Sequence, residues 1–334
     1  EISFPFIGRL MRYYGNFEIT SPPKVSGQNR VIISGGTGLV GSSIASYMAA
    51  CGWEVYVLSR SSTSKVPFGV KVAPWDGKSA KGWSDLINEH TVLINLAGEN
   101  PGAHRWTKTS KDKILNTRLA AIRAMKEGIQ LAAKRNCSPR AFLQASAAGI
   151  AGDSGGSVID DTFSPSSAQQ HEFRVSCCVA LEEEAKKAVE GTSTPVTFLR
   201  IGHVLSDKGG LFPYLELASK FRASRLGNGS QYVPWIHIED VAKSVNFIAQ
   251  HPKQFEGAIN VTSPNSAKNS EFMKTLAKVK RRTAVFPVPD FALRLAVGES
   301  ACVLLDSERL VPARLTEKQF EFKYPTLYQA LGSL

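Results

Sequence analysis

From residue 30 onward the chain alternates between short, uninterrupted apolar runs and longer stretches whose apolar residues recur at helical spacing. Arg30-Val-Ile-Ile-Ser-Gly35 is the first such run. A strand without polar alternation is one buried on both faces, as in a parallel sheet. Trp53-Glu-Val-Tyr-Val-Leu-Ser59, Thr91-Val-Leu-Ile-Asn-Leu-Ala-Gly98, Ala141-Phe-Leu-Gln-Ala-Ser146 and Pro195-Val-Thr-Phe-Leu-Arg-Ile-Gly202 repeat the pattern. Residues 42–51 carry helical apolar spacing, and Val175, Cys178, Leu181, Ala185 and Ala188 form a second helical stripe. Strands alternating with helices of roughly 10–20 residues specify an α/β fold, a doubly wound parallel sheet with helices on both faces.

The first strand runs directly into Gly35-Gly-Thr37-Gly38-Leu39-Val40-Gly41 and then into a helix. Strand, glycine turn, helix and second strand within about 30 residues is the context in which a glycine motif signals a dinucleotide. Gly35 permits the tight turn, Gly38 lets backbone amides approach a pyrophosphate, and Gly41 lets the helix pack against the sheet. The second strand ends in Ser59-Arg60-Ser61-Ser62, where an NAD site would carry Asp or Glu. A guanidinium beside hydroxyls suits a 2′-phosphate, so NADP(H) is the expected cofactor; the bland alternative is a solvated loop cation. Small residues after the Thr91 strand, with Leu96, Ala97, Gly98 and Glu99, would let the backbone lie against the cofactor.

Composition narrows the partners. Lys and Arg exceed Asp and Glu by 40 − 29 = +11, with 43% hydrophobic and 21% charged residues. The basic clusters at 108–113 and 278–282 are short and not interleaved with aromatics, so nucleic-acid contact is not expected outside a ribonucleoprotein. Five scattered cysteines make neither a disulfide framework nor a zinc site, which fits a reducing compartment. Asp160-Asp161 and Glu182-Glu183-Glu184 lack metal-ligand spacing, and no metal is expected. No window approaches 18 apolar residues, so no membrane span is expected. Residues 1–29 are irregular and aromatic (Phe4, Phe6, Tyr13, Tyr14, Phe17), closing on Ser21-Pro-Pro23. So apolar an arm is expected to pack on its own domain or on another subunit. A processed presequence and the basic balance point to the mitochondrial matrix, with plastid stroma as the alternative.

Together these motifs resemble the atypical extended short-chain dehydrogenase/reductases of the SDR39U1 epimerase type. The resemblance is carried by Gly35–Gly41, Val57-Leu-Ser-Arg60, Trp75-Asp76, Asn95-Leu-Ala-Gly-Glu-Asn100, Arg105-Trp-Thr107, Ser146-Ala-Ala-Gly149, Arg200-Ile-Gly202, Gly209-Gly-Leu211, Trp235-Ile-His-Ile-Glu-Asp240 and the stretch from Pro287 to Tyr324-Pro325. It implies a Rossmann core of about seven strands over 30–205, completed by 233–262. It also implies a smaller, interleaved C-terminal α/β lobe over 206–334, with a family-specific module at 285–332, and NADP(H) in the crevice. Reductases of that superfamily use a Ser, a Tyr and a Lys four residues after the Tyr, so that phenol and ammonium share one helical face.

No Tyr-x-x-x-Lys exists in this chain. By position after the Ser146 strand, the pair falls at Cys178 and Glu182, where the resembled relatives also usually carry Cys and Glu. They have a Trp between the two, where this chain has Leu181. Two readings compete. In one, Cys178 is a thiol acid/base and Glu182 replaces the ammonium, although a neighbouring carboxylate raises a thiol's pKa. In the other, Cys178 is a core residue on the apolar stripe, and Glu183, Lys186 and Lys187 form the wet face. Ser146 either polarises a carbonyl or satisfies a backbone group in its turn. His237 reads as an orienting partner, His203 as a substrate contact or a loop histidine. Trp75 and Trp106 read as crevice or core. The function expected is an NADP(H)-binding accessory subunit, non-catalytic or weakly catalytic, attached to a larger complex through the arm; the alternative is an NADPH-dependent oxidoreductase or epimerase on a small molecule.

Overall fold

The computed structural model describes residues 29–334. The aromatic arm and its Pro-Pro linker lie outside the described residues. Seven strands form one sheet: β1 Arg30–Ser34, β2 Glu54–Ser59, β3 Val70–Pro74, β4 Thr91–Asn95, β5 Ala141–Ala147, β6 Val196–Ile201 and β7 Gly257–Val261. Every pairing is parallel, in the order β3-β2-β1-β4-β5-β6-β7. The chain winds outward from β1 to β3 and then resumes at β4 on β1's other side. The loops after β1 and β4 therefore diverge, and a crevice opens at the carboxyl edge of the sheet.

Alternation along β1 assigns its side chains to two cores. Val31 and Ile33 pack with the helices α1 (Leu39–Ala50) and α5 (Ile238–Gln250), through Ile44, Met48, Val241 and Val245. Ile32 faces the opposite layer of α2 (Lys108–Lys134) and α3 (Phe173–Val189), with Ile122, Met125, Leu181 and Ala185. This two-sided burial is why β1, β4 and β5 read as unbroken apolar runs. The two edge strands lacked that signal because each has one neighbour: β3 reads Val-Lys-Val-Ala-Pro and β7 reads Gly-Ala-Ile-Asn-Val.

The lobe has its own core. Phe212 and Leu215 of α4 (Phe212–Lys220), Phe272 and Leu276 of α6 (Asn269–Val279), Trp235 and Leu331 meet there. A short parallel ribbon pairs residues 223–226 with 286–288 and leads into α7 (Asp290–Val297). Two buried carboxylates tie the final segment to the core, one beside β7 and one on α5. Asp161 accepts from the backbone of Asn260 at 2.6 Å and Arg314 at 2.9 Å. Asp240 accepts from the backbone of Lys323 at 2.7 Å and Tyr324 at 2.9 Å. The lobe and sheet thus share their boundaries, as the interleaved order of their segments requires.

Candidate functional site

The glycine turn is shaped by close approach. Gly35 has φ +71°, and a Cβ on it would stand 2.7 Å from the Leu96 carbonyl group. A Cβ on Gly41 would lie 2.3 Å from the Gly35 oxygen, so only glycine lets α1 start this near the turn. Gly38 is the N-cap, and α1 has neither a side-chain cap nor an acid in its first turn. Its leading amides, from Leu39 onward, are left for an anion. Thr37 and Leu39 line a groove of about 730 Å³ that runs along α1 past Lys65 and Lys208. At the end of β2, Ser59 bonds Ser64 at 2.6 Å. Arg60 is exposed beside Gly77 and enters no ion pair with a described carboxylate. The cradle and the unengaged cation fit a phosphorylated dinucleotide.

Leu96 and Ala97 line a second cavity of about 330 Å³ between β4, β5 and the lobe. Gly98 lies against the Arg118 stem, and Glu99 pairs with Lys113 at 3.0 Å.

The far wall of that cavity is where the usual proton-handling residues would stand. Spacing of four on α3 does place Cys178 and Glu182 on one face, toward β5 and β6; Cys178 lines the cavity, whereas Glu182 is engaged away from it. Arg200, register partner of Ser146 across β5 and β6, grips Glu182 bidentately at 3.0 and 2.9 Å. Ser146 donates its hydroxyl to Glu182 Oε1 at 2.8 Å. All three are at least nine-tenths buried. Ser146 therefore bonds the carboxylate of α3 where a turn backbone group was one of the two expectations, and it lines the cavity. Cys178 is 5% exposed and its sulfur stands 3.9 Å from the Ala147 carbonyl. Burial, then Cys177, then Glu182 push its thiol up to about 12. Val175, Leu181, Ala185 and Ala188 are buried with it, while Glu183, Lys186 and Lys187 are exposed, an apolar stripe with a wet face behind it.

A second charged cluster borders the same cavity. Arg174 is 7% exposed and contacts Glu308 at 2.5 Å, Asp306 at 2.5 Å and Glu172 at 3.1 Å. Crowding of like charges around one guanidinium disfavours ionisation of the most buried carboxyl. Burial pushes Glu308 up to about 7, with Arg174 opposing and Asp306 adding to the rise. His203, at the cavity edge, is held down to about 4 by burial and then by Arg174. Sequence reading missed this cluster, since Arg174 and Glu308 are 134 residues apart. Arg200 left a signal: a lone charge in a strand buried on both faces requires a buried counterion.

The remaining candidates separate. His237 caps α5, accepting from the Glu239 amide at 3.2 Å with its ring 4.0 Å from Tyr324. Trp75 is buried in the α2/α3 layer, whereas Trp106 lines the cavity and packs edge-on against Phe173 at 5.2 Å. Ile150 and Ala151 are buried in the turn after β5.

Comparison with known proteins agrees with this architecture. Residues 31–262 match the model of the NAD dependent epimerase/dehydratase family, and residues 288–334 match a domain of unknown function, DUF1731. The epimerase family protein YfhF of Bacillus subtilis is 33% identical over 305 residues, 91% of this chain and 97% of the relative. The chloroplastic SDR39U1 homolog of Arabidopsis thaliana is 30% identical, spanning 95% of this chain and 90% of its own. The structure of human epimerase family protein SDR39U1 (isoform 2) with NADPH superposes with a TM-score of 0.77 at 25% identity, covering 91% of this chain and 98% of that one. With residues 31–262 matched by its model and relatives at 30–33% identity over nine-tenths of the chain, the chain belongs to the NAD dependent epimerase/dehydratase family.

Proposed function

We propose that this protein holds NADP(H) in the crevice without performing ordinary proton-coupled hydride transfer. It serves as a non-catalytic or weakly catalytic accessory subunit of an organellar assembly, in the mitochondrial matrix. The carrying observation is the state of the two positions that should move a proton. Cys178 is a buried thiol with its pKa near 12, and Glu182 is locked between Arg200 and Ser146. NADPH supplies a hydride when bound, but these residues cannot deliver or accept the accompanying proton near neutral pH.

The cofactor half is supported by the glycine cradle, the uncapped α1 and the unpaired Arg60, and by the human relative solved with NADPH. The subunit half is supported by the aromatic arm and by apolar surface on the lobe. Phe221, Phe286, Phe291 and Leu295 are each more than half exposed, and α7 buries none of its residues. A monomer rarely leaves such a patch to water. The organellar placement is supported by the +11 charge, while the plant relative named as chloroplastic supports the plastid alternative to the matrix. Native purification with mass spectrometry tests the reading. Released NADP(H) and co-migration with other proteins are expected; a nucleotide-free monomer contradicts it.

One observation favours the second reading, an NADPH-dependent oxidoreductase or epimerase on a small carbonyl or sugar-nucleotide substrate. Glu308 is a buried carboxyl at the cavity whose pKa is raised to about 7, so it can hold or release a proton near neutral pH. With hydride passing from NADPH to the carbonyl carbon, that proton would go to the oxygen and be replaced from water. Saturable NADPH oxidation abolished by Glu308→Gln would establish it.

A further inference from the structure

We propose that the crevice contains a subsite for a small carboxylate, held by the guanidinium of Arg118 on α2. Arg118 lines the 330 Å³ cavity together with Leu96, Trp106, Phe173 and the Ser146 wall. Its stem is fixed in place, because it runs so close beneath Gly98 that a Cβ there would lie 2.6 Å from its Cγ. Its head makes one hydrogen bond, from Nη1 to the Ile114 carbonyl of its own helix at 2.8 Å. Among the described residues no carboxylate pairs with it. Glu99, the one acid whose charge it feels, is engaged by Lys113 at 3.0 Å. The thiols beside it, Cys177 and Cys178, are both pushed up by burial and stay neutral.

The contrast with the neighbouring cations is what gives this position its meaning. Arg200 has Glu182, and Arg174 has three carboxylates. Among the described residues, Arg118 alone faces the cavity as a half-buried, desolvated cation with no ion-pair partner. Such a charge is costly unless something neutralises it. Its planar fork matches a carboxylate through two parallel bonds. A phosphate dianion would bring a second negative charge toward the Glu308 carboxyl on the cavity wall, whereas a carboxylate brings one. The apolar walls suit a short carbon body. No glycine-turn residue lines this cavity, so the cofactor's pyrophosphate, which belongs at the start of α1, is not the missing anion. The inference rests on NADP(H) lying along the crevice, as proposed above, and not on the loss of catalysis.

The test titrates the NADPH-loaded full chain with acetate, butanoate, 2-oxobutanoate, neutral butanamide and inorganic phosphate, reading nucleotide fluorescence and Tm. Saturable binding of butanoate or 2-oxobutanoate is expected, with butanamide at least about 10-fold weaker. Arg118→Gln should weaken the carboxylates about 30-fold, leave NADPH affinity within about two-fold, and raise the Tm of the ligand-free protein by removing an unpaired charge. Arg118→Lys keeps the charge without the fork and should fall between the two; it carries the same readouts should the Gln variant not fold. Failure of every carboxylate to saturate would overturn the subsite, as would saturation by phosphate alone. A parallel loss of NADPH affinity would assign the guanidinium to the cofactor, and a loss of ligand-free stability would assign it to the fold; either result overturns the proposal. NADPH oxidation by a probe would instead contradict the non-catalytic reading and leave the subsite standing.

Discussion

The two ends of the crevice treat their polar groups in opposite ways. At the nucleotide end, the leading amides of α1 have no cap and Arg60 has no ion-pair partner among the described residues. At the opposite end, Ser146, Glu182 and Arg200 satisfy one another, and Arg174 is surrounded by Glu172, Asp306 and Glu308. Groups left unengaged in a folded chain are available to a ligand, while groups closed into a network hold the fold in place. The same superfamily scaffold is thus a receptor at one end and a structural lock at the other, with Arg118 the exception inside the lock.

The largest expected effect breaks the lock. Glu182→Ala would strand Arg200 as a buried charge and should cost about 3–5 kcal/mol in urea unfolding. The paired change Glu182→Leu with Arg200→Met should recover most of it, which a double-mutant cycle would show. At the other end, Gly41→Ala drives a Cβ to 2.3 Å from the Gly35 oxygen; a loss of about 3 kcal/mol and of calorimetric NADPH binding is expected.

A pH titration sharpens the contrast. Glu308 has a folded pKa raised to about 7 from 4.5, so the folded protein holds a proton that the unfolded chain has released in that window. Stability should fall as pH rises from about 4.5 to 7, by at most about 3 kcal/mol, and Glu308→Gln should flatten that slope. Arg60→Ala should weaken NADPH by about 2 kcal/mol, roughly 30-fold, and leave NADH unchanged, since the guanidinium would hold the 2′-phosphate that NADH lacks. The smallest effect is at Cys178. Its change to Ala should cost about 1 kcal/mol and leave nucleotide affinity untouched, because the thiol acts as a small core residue.

How much of this was legible in the sequence follows from how local each signal is. The run into Gly35–Gly41 carries strand, turn and helix within a dozen residues, and the structure has all three where the pattern placed them. The apolar stripe on α3 was visible for the same reason. The edge strands β3 and β7 were not, because four of five residues in β3 and two of five in β7 are incompletely buried and the apolar run is diluted. The bond of Ser146 was missed because its partner, Glu182, lies on another element 36 residues on. Arg118 left no mark, since one arginine on a long, mostly polar helix looks like any solvated cation until the fold turns it into a cavity.

The central claim is that the crevice keeps the nicotinamide carrier and lacks a competent proton shuttle. Its most direct test is one titration calorimetry and turnover series, with NADPH first and then a broad carbonyl panel on the loaded protein. The account predicts stoichiometric NADPH binding and no oxidation above the protein-free rate with any carbonyl. Saturable oxidation at neutral pH, or no NADPH binding at all, would contradict it.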